Sequence, residues 1–464
     1  GVLVFGPNRR FLSYISGVLP SLGENDVHLA TMSDLLSVDA THAEPDHVAR
    51  LKGDAALADA LAHRVRQHQP HGVPLTLRAG ADTVVLDAAQ VDMARRQALD
   101  GGVGHNQGRD LFIEYIVDAV IHELEIRTAK EESEFEEELQ SLLGIDLDRF
   151  TGTAGQVNAD GAGRDMEIDW DLVRDDLLED PVIDRTISQV WPRLDAGEVL
   201  RGLLSDSAAL ARAVPLVDHA DIPTLSISAS EPWSQADLAL LDEARALVDG
   251  PPEQTFGHIV VDEAQQLSPM QWRTLMRRCP GRSMTIVGDL AQAGPTTPPA
   301  QAWSDVLAPF VGERFSHHRL SVNYRTTAEI LQSTEHLLAT IAPDQHLSRS
   351  LRHGESPQTV VTAAHHLRQT LGTLTTEVQS KHPGELIGII CSADHAQRLA
   401  KYATELNVTV VPAPEARGLE FDTAIILDPD RIQRASDAGL RDLYVAQTRA
   451  TKRLISVRID EPSL

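Results

Sequence analysis

The sequence predicts an α/β protein built on parallel sheets, with a large, mainly helical insertion in its first half. Three observations carry this. The stretches HIVV, MTIVGD, LIGIIC, VTVV and TAIILD between His258 and Asp428 are short apolar runs without polar alternation, as strands covered on both faces require. Helical patterns separate them, which is the rhythm of a parallel sheet whose crossovers lie over its faces. Between about residues 61 and 230 that rhythm is replaced by long helical and acidic stretches.

The chain opens with VLVFGPN, a strand over Val2 to Phe5 ended by Gly6, Pro7 and Asn8, and an amphipathic helix is expected from Phe11 to Leu22. From Asn25 to Gln69 the pattern is helical and polar; from Gly72 to Leu86 it alternates like short strands. A long helix is expected from Arg109 to Leu143, with Phe112, Tyr115, Ile116, Ala119 and Val120 at helical spacing. Its second half, including Glu131, Glu134 and Glu136, is an acidic run whose default explanation is a solvated face. Thr151 to Gly163 has no apolar period and predicts a loop. A second acidic block follows from Asp165, through Asp169, Asp171, Asp175 and Asp176, to Asp180. Two acidic segments around a loop have the form of a docking arm, or of ordinary solvated surface. Pro232 to Val248 is an amphipathic helix, and Gly250, Pro251 and Pro252 lead into the strongly patterned remainder.

With 464 residues the chain is long enough for several cores. Lysine and arginine total 41 against 68 acidic residues, a net charge of −27, which repels a polyanion unless a basic stripe is buried in the fold. Such a chain is drawn instead to basic surfaces, the nucleic-acid channel of another protein among them; acidity also serves solubility alone. Cys279 and Cys391 are far apart with no CxxC, which predicts reduced thiols, no structural zinc and a cytoplasmic setting. No apolar run approaches the roughly 20 residues that span a bilayer. Gly1 stands just before an apparent strand, so a fragment of a longer protein is expected.

Five segments carry chemistry. HIVV ends in Asp262 and Glu263; at the carboxyl end of a parallel strand, Asp262 can hold Mg²⁺ and Glu263 can orient and deprotonate a water. MTIVGDLAQ ends in Gln292, an uncharged amide suited to sensing a phosphate or the attacking water. In LSVNYR, Tyr324 offers a face for adenine and Arg325 a guanidinium for phosphate. EARGLEFD contains Gly418 and Glu420, the latter able to accept from ribose hydroxyls, and YVAQTRAT presents Arg449 as an arginine finger. Taken singly, each has a bland explanation as a charged strand end or a turn.

In this order and spacing, DEAQ, GDLAQ, NYR, RGLEFD and YVAQTRAT resemble motifs II to VI of the UvrD/Rep-type superfamily 1 helicases. The opening VLVFGPNRRFLSYISGVLPSLGE, GHIVVDEAQQLSPMQWRTLMRRCPGRSMTIVGDLAQA, WPRL at Trp191 and PWSQADLALLDEA at Trp233 are similar to one branch, the HelD family of RNA-polymerase-associated helicase-like ATPases. The resemblance implies two RecA-like lobes of the P-loop NTPase type: residues 1–60 and 231–309 for the first, 61–230 as an inserted acidic helical module that docks on polymerase, and 310–464 for the second. It implies ATP and Mg²⁺ as cofactors, Asp262 on the metal, and Glu263, Gln292, Arg325 and Arg449 as catalytic residues. Tyr324, Gly418 and Glu420 would bind nucleotide. The implied partner is core RNA polymerase, with DNA as a further one, and the protein acts as a monomer that clears nucleic acid from the enzyme. Two alternatives stand beside it: a UvrD-like 3′ to 5′ DNA helicase of repair, and a non-enzymatic binder that mimics nucleic acid.

The sequence also departs from the pattern. It contains no GxxxxGK[ST] and no Gly-Lys pair, so this chain alone is expected to hydrolyse ATP poorly or not at all. Ala293 to Gln301 reads AGPTTPPAQ where translocating helicases carry base-stacking aromatics, and the first tryptophan follows at Trp303. About ninety residues separate Arg325 from Arg417, too few for the second-lobe insertion of the DNA helicases. Where the HelD family usually carries a long loop before DEAQ, Asp249 to Phe256 is very short, so that loop is expected to be either absent from the protein or left out of this chain.

Overall fold

The computed structural model describes residues 1–6, 12, 16, 27–143, 168–213, 222–228 and 230–460. Apart from Leu12 and Ser16, the expected helix from Phe11 to Leu22 lies outside the described residues, as does the loop from Thr151 to Gly163. Two compact units emerge: Gly1–Ala55 with Ser230–Leu240 and Gln254–Leu464, and Ala56–Ala229 with Leu241–Glu253.

The first unit opens with strand β1 (Val2–Phe5), which pairs in parallel with β2 (Val27–Ala30). β2 is a correction: its stretch was expected to be helical. It has only four residues, one of them His28, and lies at a sheet edge, so it has neither the length nor the full apolarity of a buried strand. The chain next enters the second unit, where β3 (Leu75–Ala79) and β4 (Asp82–Leu86) form an antiparallel hairpin. It returns with β5 (His258–Val261) and β6 (Met284–Ile286), completing a parallel sheet in the order β2-β1-β5-β6. Leu3, Phe5, Ile259 and Val261 are buried along its centre. The helix Trp303–Val311 follows, so the proposed border at residue 310 falls inside a helix.

Beyond a short parallel pair, β7 (Val322–Asn323) with β8 (Arg349–Ser350), comes the second sheet of this unit. Its strands are β9 (Gln358–Ala363), β10 (Ile387–Cys391), β11 (Thr409–Pro412), β12 (Phe421–Leu427) and β13 (Ala450–Asp460), all parallel, in the order β11-β10-β12-β13-β9. Side chains alternate across a strand. Ala424 and Ile426 of β12 therefore join one buried cluster with Tyr444 and Val445, while Ile425 and Leu427 join another with Leu371, Val378 and Leu399. A sheet covered on both faces explains why β10 and the Ala424–Leu427 part of β12 are apolar.

The second unit packs the β3–β4 hairpin against helices Ala88–Leu99, Trp170–Leu178 and Pro181–Val190 and the first half of the helix His105–Leu143. Trp191 is fully buried against Phe112, and Arg109 beside it donates to the Trp191 carbonyl at 2.9 Å and to Asp184 Oδ1 at 2.6 Å. Burial along the long helix ends at Leu124; Glu131, Glu134 and Glu136 are exposed, with Lys130 pairing to Glu134 at 3.5 Å. Asp169 caps the helix Trp170–Leu178 through the Leu172 amide, while Asp171, Asp175 and Asp176 face solvent. Among the described residues no helix is long and apolar enough to cross a membrane, and both cysteines are free and buried.

Candidate active site

The carboxyl ends of β5 and β6 lie side by side, and their loops carry the acidic half of the site. Asp262 leaves β5 with its amide bonded to the Phe5 carbonyl, and its Oδ1 accepts from the Glu263 amide at 2.8 Å. Glu263 then adopts a left-handed backbone (φ 51°, ψ 38°), a conformation that costs a non-glycine residue about 1–3 kcal/mol and persists where the surroundings enforce it. Gln265 holds its side chain. Its Nε2 donates to Glu263 Oε2 at 2.5 Å and its Oε1 accepts from the Asp289 amide at 3.1 Å, so one amide ties the two strand ends together. Gly288 is needed there, because a Cβ would come within 2.5 Å of Gln265 Oε1 and about 3 Å of the Trp303 ring. Burial pushes the Glu263 carboxyl above its ordinary value; Asp262 and Asp289 add to the rise, and the Gln265 bond and Arg449 oppose it.

Gln292 stands where the two sheets meet. Its Nε2 donates to Asp289 Oδ2 at 2.9 Å, and its Oε1 accepts from Arg449 Nη2 at 2.9 Å. Arg449 is the C-cap of the helix Gly439–Thr448, only 7% exposed, and donates through Nη1 to the Leu419 carbonyl at 3.3 Å. Burial lowers its affinity for the proton, with Glu263 and Glu420 opposing and Arg325 assisting. Its Nε is buried without a hydrogen-bond partner among the described residues. A spare guanidinium donor beside a base and an amide is a vacancy that fits an anionic oxygen. The acidic side fits a phosphate-borne cation. Among the described residues no group of three or more metal-ligating side chains forms a cage, and Mg²⁺ carried by phosphates needs one or two carboxylates, as Asp262 offers.

The remaining predicted residues form an outer rim. Tyr324 is 77% exposed. Arg325 Nη1 pairs with Glu420 Oε1 at 2.7 Å, so the carboxylate read as a ribose acceptor holds the guanidinium read as a phosphate ligand. Gly418, at φ 74°, turns the chain between Arg417 and Glu420. The acidic residues Glu131, Glu134, Glu136, Asp169, Asp171, Asp175 and Asp176 belong to the other unit. Sequence reasoning gave no role to Gln265, Asp289, Arg417 or Asp442. Gln265 and Arg417 stood inside the motifs quoted, but only tertiary contacts reveal what they hold.

Among solved structures, the chain is similar to the C-terminal domain of a possible DNA helicase from Lactobacillus plantarum WCFS1, at 23% identity over 30% of this chain and 90% of that one, with a TM-score of 0.25. No curated protein matches the chain in sequence. Residues 244–457 match the family model of the viral superfamily 1 RNA helicase core domain. That span contains every residue from Asp262 to Arg449 described above, so the region that builds this site is similar to a superfamily 1 helicase core domain.

Proposed function

We propose that the site described is part of an ATP-hydrolysing, helicase-type factor with two RecA-like lobes, one on each parallel sheet of the first unit, whose turnover also requires a phosphate-binding loop that these 464 residues do not contain, and that the factor acts on RNA polymerase. The observation that carries the hydrolytic part is the chain of contacts Glu263–Gln265–Asp289–Gln292–Arg449, which joins a half-buried carboxylate of raised pKa to a buried guanidinium with a free donor. In this reading Glu263 accepts a proton from water as the water oxygen attacks the γ-phosphorus, the bond to the bridging oxygen breaks, and ADP and phosphate leave. Mg²⁺, held by Asp262, would neutralise charge on the phosphate oxygens. Arg449 meets charge developing on the γ-phosphoryl oxygens, Gln292 reports its presence to the opposite lobe, and Tyr324 stacks on the base.

The partner is proposed from charge and from the absence of a stacking track. A net charge of −27 disfavours free nucleic acid, and the exposed acidic helix from Glu131 onward suits a basic channel. Trp303, the first aromatic after Gln292, lies against Gly288. The helicase-core match favours a second reading, a motor that tracks a nucleic-acid strand. Competition decides between them: the protein is offered core RNA polymerase and a single-stranded DNA oligomer together at near-physiological salt, then passed over gel filtration. Co-elution with polymerase while DNA stays free is expected. Elution with the DNA and not the polymerase would replace the first reading by the second.

A further inference from the structure

Arg417 lies in the loop before β12 and reaches the backbone carbonyls of Gln292 and Ala293 beyond β6. Its Nε donates to the Gln292 carbonyl at 3.0 Å, and its Nη2 donates both to the Ala293 carbonyl at 3.0 Å and to Asp442 Oδ1 at 2.7 Å. Its Nη1 donates to the Pro414 carbonyl at 3.0 Å. The Arg417–Asp442 pair is enclosed, with side chains 10% and 2% exposed. Burial raises the Asp442 carboxyl and the arginine opposes that rise, as expected of a buried carboxylate kept charged by its partner.

Asp442 and Arg449 sit seven residues apart, on and at the end of the helix Gly439–Thr448. Seven residues are about two turns, so both project on the same side of it, about 10 Å apart along its axis. One rigid element therefore grips Gln292 twice. Arg449 holds its side-chain oxygen, and Asp442, through Arg417, holds its backbone carbonyl. Gly294 leaves room for the Gln266 side chain: a Cβ there would meet Gln266 Oε1 at 2.7 Å, and Gln266 Nε2 also reaches the Gln292 carbonyl, at 3.3 Å.

We propose that Arg417, clamped by Asp442, is a positioning residue that fixes the backbone of Gln292, so that its amide meets Arg449 only when the Gly439–Thr448 helix is docked on the first sheet. This rests on the hydrolytic reading above. Arg417 spends its donors on protein oxygens, and its effect on turnover passes through Gln292.

The test is steady-state ATP hydrolysis by the protein in its natural length, with binding of a fluorescent ATP analogue and thermal unfolding measured in parallel. Arg417→Ala is expected to lower kcat about tenfold to a hundredfold, as misplacement of a group that acts at the transition state does, with KM and analogue affinity nearly unchanged. Arg417→Lys should recover part of the rate, and Asp442→Asn should fall between. The double variant Arg417→Ala/Gln292→Ala should be no slower than Gln292→Ala alone, because residues acting as one unit are not additive. Independent, multiplying losses would overturn the proposal, as would a KM rise at constant kcat, which would put Arg417 on the nucleotide. A reduced rate that merely follows a lowered unfolding temperature in all three single variants would also overturn it. A wild-type protein that binds the analogue but never turns over would remove the hydrolytic reading itself, a different and visible failure.

Discussion

The two parallel sheets of the first unit divide the chemistry by charge. The four-stranded sheet brings acceptors: Asp262, Glu263 and Asp289 at the ends of β5 and β6, with β6 at an edge and Thr285 and Val287 exposed. The five-stranded sheet brings donors: Arg417 and Arg449 flank β12, which is buried along nearly its whole length. Neither sheet holds a complete site, and Gln292 is where the halves touch. Under the proposed function, an arrangement of this kind would make hydrolysis depend on how closely the sheets approach.

The comparison breaks most severely if the donor side is removed. Arg449→Ala should reduce kcat about a thousandfold, the scale of an arginine finger, while nucleotide affinity changes far less; steady-state kinetics beside analogue binding would show it. The contrast in burial predicts a smaller, purely structural difference. Ile426→Ala in β12, at a fully buried position, should cost about 2–5 kcal/mol in stability, whereas Thr285→Ala on the exposed side of β6 should stay within about 0.5 kcal/mol. Denaturant midpoints of the two variants test it, and equal shifts would remove the contrast. The smallest effect is on pH. Glu263 must be ionised to accept a proton, so turnover should fall as pH drops through its raised pKa, higher than the ordinary value of about 4.3. Gln265 favours the ionised form, so Gln265→Ala should move that acidic limb to still higher pH; a shift toward lower pH would contradict the assignment.

Much of the second sheet was legible in sequence because β10, Val410–Val411 of β11 and Ala424–Leu427 of β12 are apolar runs with no competing explanation. β9 and β13 were not. β9 is an edge strand that leaves Val361 64% exposed, and β13 carries Lys452 and Arg453, whose charges are taken by Glu385, Asp422 and Glu355 from other segments. The site shows the same division. Asp262, Glu263, Gln292 and Arg449 could be picked out because their chemistry is written beside a strand or helix end. What holds them could not: Arg417 and Gln292 are 125 residues apart, and Gln265 acts by bridging two strand ends. Left-handed Glu263 likewise follows from its partners rather than from its own preference.

The central claim is that Glu263 is the base of an ATP-hydrolysing site, and Glu263→Gln tests it most directly, by turnover and nucleotide binding measured on the same preparation of the natural-length protein. The substitution keeps shape and removes the proton acceptor. Loss of turnover by about a hundredfold or more with nucleotide binding retained is the predicted result. Turnover unchanged from wild type would contradict it.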